Sequence, residues 1–512
     1  KPGFLKNIVL RGLLSCMLVV AFRFAYLVAI RGESCDVANF CFLPDNFDVV
    51  AGVRQLTKLS SSAIVSSPSR PKKKPPDILA ADDFHRAVRF YWSVFEELIS
   101  DGILRPNHKS LCVDSLDGAD VYALREVGVE DSIGVSRKPF KPLVVSGEGF
   151  KQPFPHQAFD FTFCGNGAVE KSAKQAEFAA EIDRTLKPQG FLVVHTGAND
   201  SYSFESLLGL FNFTRLVKSK DITDGFNSRM REIVLQKLVT DNSKKKKKKK
   251  MNKCSSTVAS YKQDLIKRAE PLISKEPQKP WITLKKNLQK IKYLPSLVDI
   301  SFKPRYVYID VGARSYGSSI VSWFKKQYPK QNKTFEIYAV EADRTFHDEY
   351  RRRNKGGVVL LPYAAWVRNE TLAFEINDDD PGHKDVEERG RGMGRILRPS
   401  SSGKRRVSTS SSGKVDRIRG FDFAKWLEGA VSERDYVVVK MDVEGTEFDL
   451  IPRLLETGAM CLIDEMFLEC HYNRWQKCCP GERSWKYEKT YGECLDLFTS
   501  LRKSGVYVHQ WW

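Results

Sequence analysis

The stretch Tyr306–Ser319, YVYIDVGARSYGSS, reads as an apolar strand that stops at Asp310, turns on Gly312 and Gly317, and enters a helix near Ser318. Glycines in such a turn let the backbone approach a ligand closely, and the helix N-terminus favours polar or anionic groups. Further on, EIYAVEAD ends a second strand at Glu341, where an acid in a nucleotide-binding sheet accepts hydrogen bonds from ribose hydroxyls; Asp343 competes for that role. A third strand, YVVVKMDVEGTEFDLI from Tyr436, delivers Lys440, Asp442 and Glu444 to its carboxyl end before an amphipathic helix. Open α/β sheets bind ligands at that edge. These residues by themselves specify a nucleotide-type site.

Outward from this core, strands are expected at Tyr306–Asp310, Glu336–Glu341, Val358–Ala364, Tyr436–Asp442 and Met466–Cys470, with helices at Ser318–Gln327 and Glu447–Leu455. A helix over Trp281–Leu294 leads in. The polar, Gly/Ser/Arg-rich run Asp378–Ser412 reads as a mobile insert. The N-terminal half repeats the alternation: helical spacing over Asp83–Ile99, a strand at SLCVDSL, an alternating strand at Ala158–Cys164, a helix over Lys174–Leu186 and a strand at Gly190–His195.

Together the motifs VYIDVGA, LPYAAW (Leu361–Trp366) and VVVKMDVEG make Arg305–Tyr472 resemble the FkbM family of S-adenosylmethionine-dependent methyltransferases. The resemblance implies that Asp310, Gly312 and Gly317 line the methionine part of the cofactor and Glu341 its ribose. Asp442 and Glu444 would face the methyl-transfer centre. Deprotonating an acceptor hydroxyl needs a base, and Asp442, Glu444 and His471 of LECHYNRW are the candidates; Lys440 is read equally as a structural ion-pair partner. The first half resembles a type 11 class I methyltransferase in QPFPHQAFDFTFC and EIDRTLKPQGFLVV, but with a worn cofactor loop. CVDSLDGAD keeps Asp114 and Gly118 yet has Leu116 where that family has glycine, and Ser136 where it has the ribose acid. A degenerate, noncatalytic first domain is expected.

A chain of 512 residues suits two domains. The expected organisation is a cytosolic tail 1–11, a transmembrane signal anchor 12–30, a stem 31–79, a degenerate domain 80–241, a Lys-rich linker 242–280 and an FkbM-like domain 281–512 with its insert near 378–412. Behind the anchor stand two tandem Rossmann-like, doubly wound α/β domains. The anchor is GLLSCMLVVAFRFAYLVAI, Gly12–Ile30, long enough to span a bilayer, with Arg23 costing about 2.5 to 3.5 kcal/mol at its centre. A cleaved leader and a soluble amphipathic helix are the alternatives. Lys1, Lys6 and Arg11 before it and acids after it put the rest of the chain in the lumen of the endoplasmic reticulum or Golgi. Glycosylation acceptor patterns at Asn199, Asn212, Asn332 and Asn369 agree with that side.

The net charge of +19 is concentrated in runs such as Lys244–Lys250 and Arg389–Arg406. No aromatic-interleaved basic platform accompanies it, so nucleic acid is not the expected partner. The 11 cysteines include no CxxC pair and no histidine spacing that closes a zinc site, so no metal is expected. Five of them, Cys461, Cys470, Cys478, Cys479 and Cys494, crowd the C-terminal region, where an oxidising compartment would pair some as disulfides; Cys35 and Cys41 form a second group. The expected activity is O-methylation of a hydroxyl on a glycan or small molecule, with S-adenosylmethionine as cofactor. A noncatalytic scaffold retaining the same folds is the rival reading.

Overall fold

The computed structural model describes residues 82–224, 228–239, 258–277, 290–353, 357–376, 394–397, 414–476, 481–484 and 486–511. They belong to one compact unit, Pro76–Trp512. The anchor, the stem, Cys35, Cys41, Cys478, Cys479, the lysine run and most of the expected helix over Trp281–Leu294 lie outside the described residues. Among the described residues no helix is long and apolar enough to cross a membrane.

The first half contributes β1 (Ser110–Val113), β2 (Ser132–Ser136), β3 (Val144–Ser146), β4 (Phe159–Cys164), β5 (Leu186–Thr196), β6 (Thr214–Thr223) and β7 (Arg229–Lys237). They form one sheet in the order β3-β2-β1-β4-β5-β7-β6, with β1 to β5 parallel and β7 antiparallel to both β5 and β6. Such a doubly wound order around a β1/β4 switch resembles a class I methyltransferase sheet. Short runs buried on both faces explain the near-continuous apolar strands.

The second half contributes β8 (Tyr306–Val311), β9 (Glu336–Val340), β10 (Val358–Leu361), β11 (Ala364–Trp366), β12 (Glu370–Ile376), β13 (Gly394–Leu397), β14 (Lys414–Asp422), β15 (Tyr436–Met441), β16 (Glu465–Glu469) and β17 (Tyr507–Trp511). Six of these make an all-parallel sheet, β10-β9-β8-β15-β16-β17, and the other four a side sheet, β11-β14-β12-β13. The period of two sorts side chains between two cores. Val307, Ile309, Val437, Val439 and Met441 enter one core; Tyr306, Tyr308, Tyr436 and Val438 enter an aromatic one. By the same alternation, Asp310 and Lys440 share the aromatic face, where the β8–β15 register makes them direct neighbours.

Three expectations are corrected. The single strand Val358–Ala364 is two strands, because Pro362 has no N–H to continue the ladder and Ala364–Trp366 joins the side sheet instead. The insert Asp378–Ser412 is not wholly loop: Gly394–Leu397, GRIL, pairs antiparallel with Ala373–Ile376. The supposed linker 242–280 holds a helix, Ser260–Arg268, whose Leu265 joins the aromatic core. The two halves are also packed together rather than tethered. Phe302 sits in a core of the first sheet, Tyr202 in the aromatic core of the second, and the Tyr202 hydroxyl donates to Asp464 at 3.0 Å.

Candidate functional site

A cavity of about 930 Å³ opens at the carboxyl ends of β8, β9 and β15. Gly312, Gly317, Glu341, Asp343, Lys440 and Asp442 all line it, so five of the eight anticipated site residues, together with Lys440, meet at one place. Its volume falls within the range of small-molecule sites. Glu341 is 7% exposed. One oxygen accepts from the Arg314 amide and the other from the Asp343 amide, both at 2.6 Å. Burial pushes this carboxyl up to about 7 against those two hydrogen bonds. Asp343 turns back to cap the next helical turn, accepting from the Thr345 amide at 3.0 Å. Of the two acids weighed for a ribose contact, Glu341 is therefore the one held by amides from both flanking turns.

The two glycines do different work. A Cβ at Gly317 would meet nothing within 4 Å, so that turn is open. A Cβ at Gly312 would lie 1.8 Å from the Asp442 carbonyl oxygen, and its φ is +79°. Gly312 thus lets the turn after β8 press on the turn after β15.

Asp310 does not line the cavity. It is fully buried beneath it, accepts from the Ser319 hydroxyl and lies 3.5 Å from the Lys440 ammonium, which is also 3.6 Å from Asp442. Burial disfavours the Lys440 charge, but Asp310, Asp442 and Glu469 outweigh it and hold the ammonium at about 12. Asp310 therefore organises the site through Lys440 rather than by touching a ligand.

Glu444 and His471 lie behind Asp442. His471 is 7% exposed. Its backbone N–H and its Nδ1 both bond Glu447 Oε1, at 2.6 and 3.2 Å. Its Nε2 faces Asp442 Oδ1 at 3.6 Å, Glu444 Oε1 at 3.7 Å and Glu469 Oε1 at 3.9 Å. Burial alone would lower the imidazole, but Glu447 and Glu444 raise it to about 10. A ring already protonated at neutral pH cannot take a further proton, so His471 is not a base in this state. Burial likewise opposes the Glu444 charge, yet His471, Lys486 and the Tyr487 hydroxyl bring it down to about 2. A carboxylate so firmly ionised is a weak base. Asp442 remains: its Oδ1 is buried without a hydrogen-bond partner, and the residue borders the cavity.

Four participants were not read from the sequence. Glu447 reads only as a helix start and Glu469 only as a residue within the strand Met466–Cys470, while nothing in the sequence marks Lys486 or Tyr487. The EGTE and LECH spellings carry both acids beside named candidates, which was the available signal. Cys470, next to His471, forms a disulfide with Cys494, while Cys112 and Cys164 of the first sheet are buried thiols.

In the first half the corresponding edge differs. Asp114 keeps its place after β1, but Ser136 closes β2 with a hydroxyl, and Leu116 is 66% exposed. The loop leucine points to solvent, not into the core.

Residues 266–371 and 404–512 match a family described as a domain of unknown function, DUF7870. Residues 143–315, from β3 through β7 and on to the turn after β8, match the family described as "Putative S-adenosyl-L-methionine-dependent methyltransferase". The chain thus carries a stretch of methyltransferase type. No curated protein matches it. Among solved structures, a SAM-dependent methyltransferase from Aquifex aeolicus is 16% identical, with 30% of this chain and 93% of that one covered and a TM-score of 0.24. The YcgJ protein from Bacillus subtilis is 12% identical, with 30% and 100% covered and a TM-score of 0.24. Likeness of that size leaves the description of the fold with strand order and register.

Proposed function

We propose that the second sheet binds S-adenosylmethionine in the cavity at its carboxyl edge and that the chain transfers the methyl group to a hydroxyl of a glycan or small molecule. The observation that carries this is the placing of Glu341: a buried carboxylate on the cavity wall, held between the amides of Arg314 and Asp343, opposite an open glycine turn. Those features fit a ribose with two hydroxyl donors. The cofactor would supply an activated methyl group. This chain's residues then hold the ribose on Glu341, keep the β8 and β15 turns in register through Gly312, and place the Asp442 carboxylate, whose Oδ1 has no hydrogen-bond partner, beside the acceptor hydroxyl. Charge-assisted bonds of that kind contribute about 1.5 to 3 kcal/mol.

Calorimetry on the full chain tests the reading. One equivalent of S-adenosylmethionine should bind, and Glu341→Ala should weaken it roughly 10-fold to 100-fold. Absence of binding by the wild type would leave the noncatalytic scaffold as the better account.

The setting proposed is the lumen of the endoplasmic reticulum or Golgi, with the N-terminal segment as anchor. Asn199, Asn212, Asn332 and Asn369 are all exposed, and the Cys470–Cys494 disulfide suits an oxidising compartment. Glycosidase treatment should increase the mobility of the chain expressed in animal or plant cells, and carbonate should leave it with the membranes. A chain that shows no shift and washes off refutes this placement.

A further inference from the structure

We propose that Asp442, Glu444, Glu469 and His471 form a binding site for one divalent metal ion of the Mn²⁺ kind, beside the cofactor cavity and sharing Asp442 with it. One ligand atom from each of Asp442, Glu444 and His471 lies within 4.8 Å of the others. The arrangement of their second atoms points the same way. Asp442 turns Oδ2 to Lys440, and Glu444 turns Oε2 to Lys486 at 2.9 Å and to the Tyr487 hydroxyl. This leaves Asp442 Oδ1, Glu444 Oε1 and Glu469 Oε1 facing His471 Nε2 at 3.6, 3.7 and 3.9 Å.

His471 is the independent observation. It is more than nine-tenths buried, and among the described residues its Nε2 forms no hydrogen bond. Its Nδ1 is anchored on the fully buried Glu447, so the other nitrogen is aimed at the carboxylates, and the ion would displace to solvent the proton that Nε2 otherwise carries. A carboxylate fixing one imidazole nitrogen so that the other can ligate is the usual outer support of a metal-bound histidine.

Ligand atoms on one ion stand roughly 2.0 to 2.2 Å from it and so roughly 3 to 3.5 Å apart; the atoms of Asp442, Glu444 and His471 lie within 4.8 Å of one another and Glu469 stands outside that set, so the cluster would draw in by about 1 Å on an ion. Three carboxylate oxygens with one imidazole nitrogen favour a hard ion that tolerates nitrogen, and that selects Mn²⁺ over a thiophilic metal. Cysteine–histidine spacing could not disclose such a site, because its ligands come from the ends of two strands and the turns beyond them. Placed there, the ion would hold an acceptor hydroxyl against the cavity. That role rests on the methyl-transfer reading; the site itself does not.

The test is titration of the chelator-treated full chain with MnCl₂, with free Mn²⁺ followed by electron paramagnetic resonance. One Mn²⁺ should bind per chain, and Asp442→Asn, Glu469→Gln and His471→Gln should each weaken it 10-fold or more, as far as their thermal transitions show folded protein. Glu341→Gln, which touches the cavity and not the cluster, should bind Mn²⁺ like the wild type. Absence of S-adenosylmethionine binding by the wild type with Mn²⁺ binding intact would count against the cofactor reading alone. No saturable site, or unchanged affinity in the folded Asp442→Asn and Glu469→Gln variants, would overturn the metal site.

Discussion

The two sheets of this chain share a doubly wound plan yet end their strands in opposite chemistry. In the second, β8, β9, β15 and β16 deliver Asp310, Glu341, Lys440 with Asp442, and Glu469 to one edge. In the first, β2 ends in Ser136 and β4 in Cys164, a buried thiol that burial pushes up further. A fold supplies the platform and the strand ends supply the function. The match of methyltransferase type spans much of the poorer sheet, so likeness of sequence and richness of site are separate properties here.

The sharpest way to break the comparison is to remove the charge that the second sheet buries. Lys440 and Asp310 are 4% and 0% exposed and are paired by strand register. Removing one partner of a buried pair leaves the other charge uncompensated. Lys440→Met should therefore lower unfolding free energy by about 3 to 5 kcal/mol, measured by urea denaturation, and adding Asp310→Leu should recover most of it. A Lys440→Met loss below about 1 kcal/mol would mean that Asp310 is neutral in the folded chain.

That pair also marks how far the sequence could be read. The ends of β8, β9 and β15 were legible because an apolar run broken by an acid and a glycine has few other meanings in a parallel sheet. So were the two tandem sheets. The convergence of Glu447, Glu469, Lys486 and Tyr487 was not, since residues on separate elements meet only through tertiary packing. The strand at Gly394–Leu397 was hidden by the polar residues around it. The sequence also does not show that what crowds the Cβ position of Gly312 is the backbone of Asp442, far away along the chain.

A smaller effect is expected from pH. Glu341 has its carboxyl raised by burial from 4.5 to about 7. The folded chain thus holds that proton more tightly than the unfolded chain does. The stability it contributes is present in full below pH 4.5 and fades as pH rises through about 7. Cofactor binding should run the other way, because ribose hydroxyls need the ionised acceptor. Affinity for S-adenosylmethionine should fall roughly tenfold from pH 8 to pH 6, in line with the ionised fraction. Glu341→Gln should flatten both profiles, with calorimetry across that range as the measurement. A wild-type affinity independent of pH would take the ribose role from Glu341.

The smallest effect belongs to the first sheet. Leu116 stands where a cofactor-binding turn would carry glycine, and at 66% exposed it contributes little to packing. Leu116→Gly should change unfolding free energy by less than about 1 kcal/mol, most of it the added freedom of the unfolded chain. It should also leave cofactor stoichiometry at one per chain. The loop alone does not make a site: β2 still ends in Ser136, and a neutral hydroxyl offers the two ribose donors far less than a carboxylate does. Calorimetry reads both quantities on the same sample. Two equivalents bound by Leu116→Gly would mean that the first sheet lost only a loop residue, and that its strand ends are competent in a way the second sheet does not exemplify.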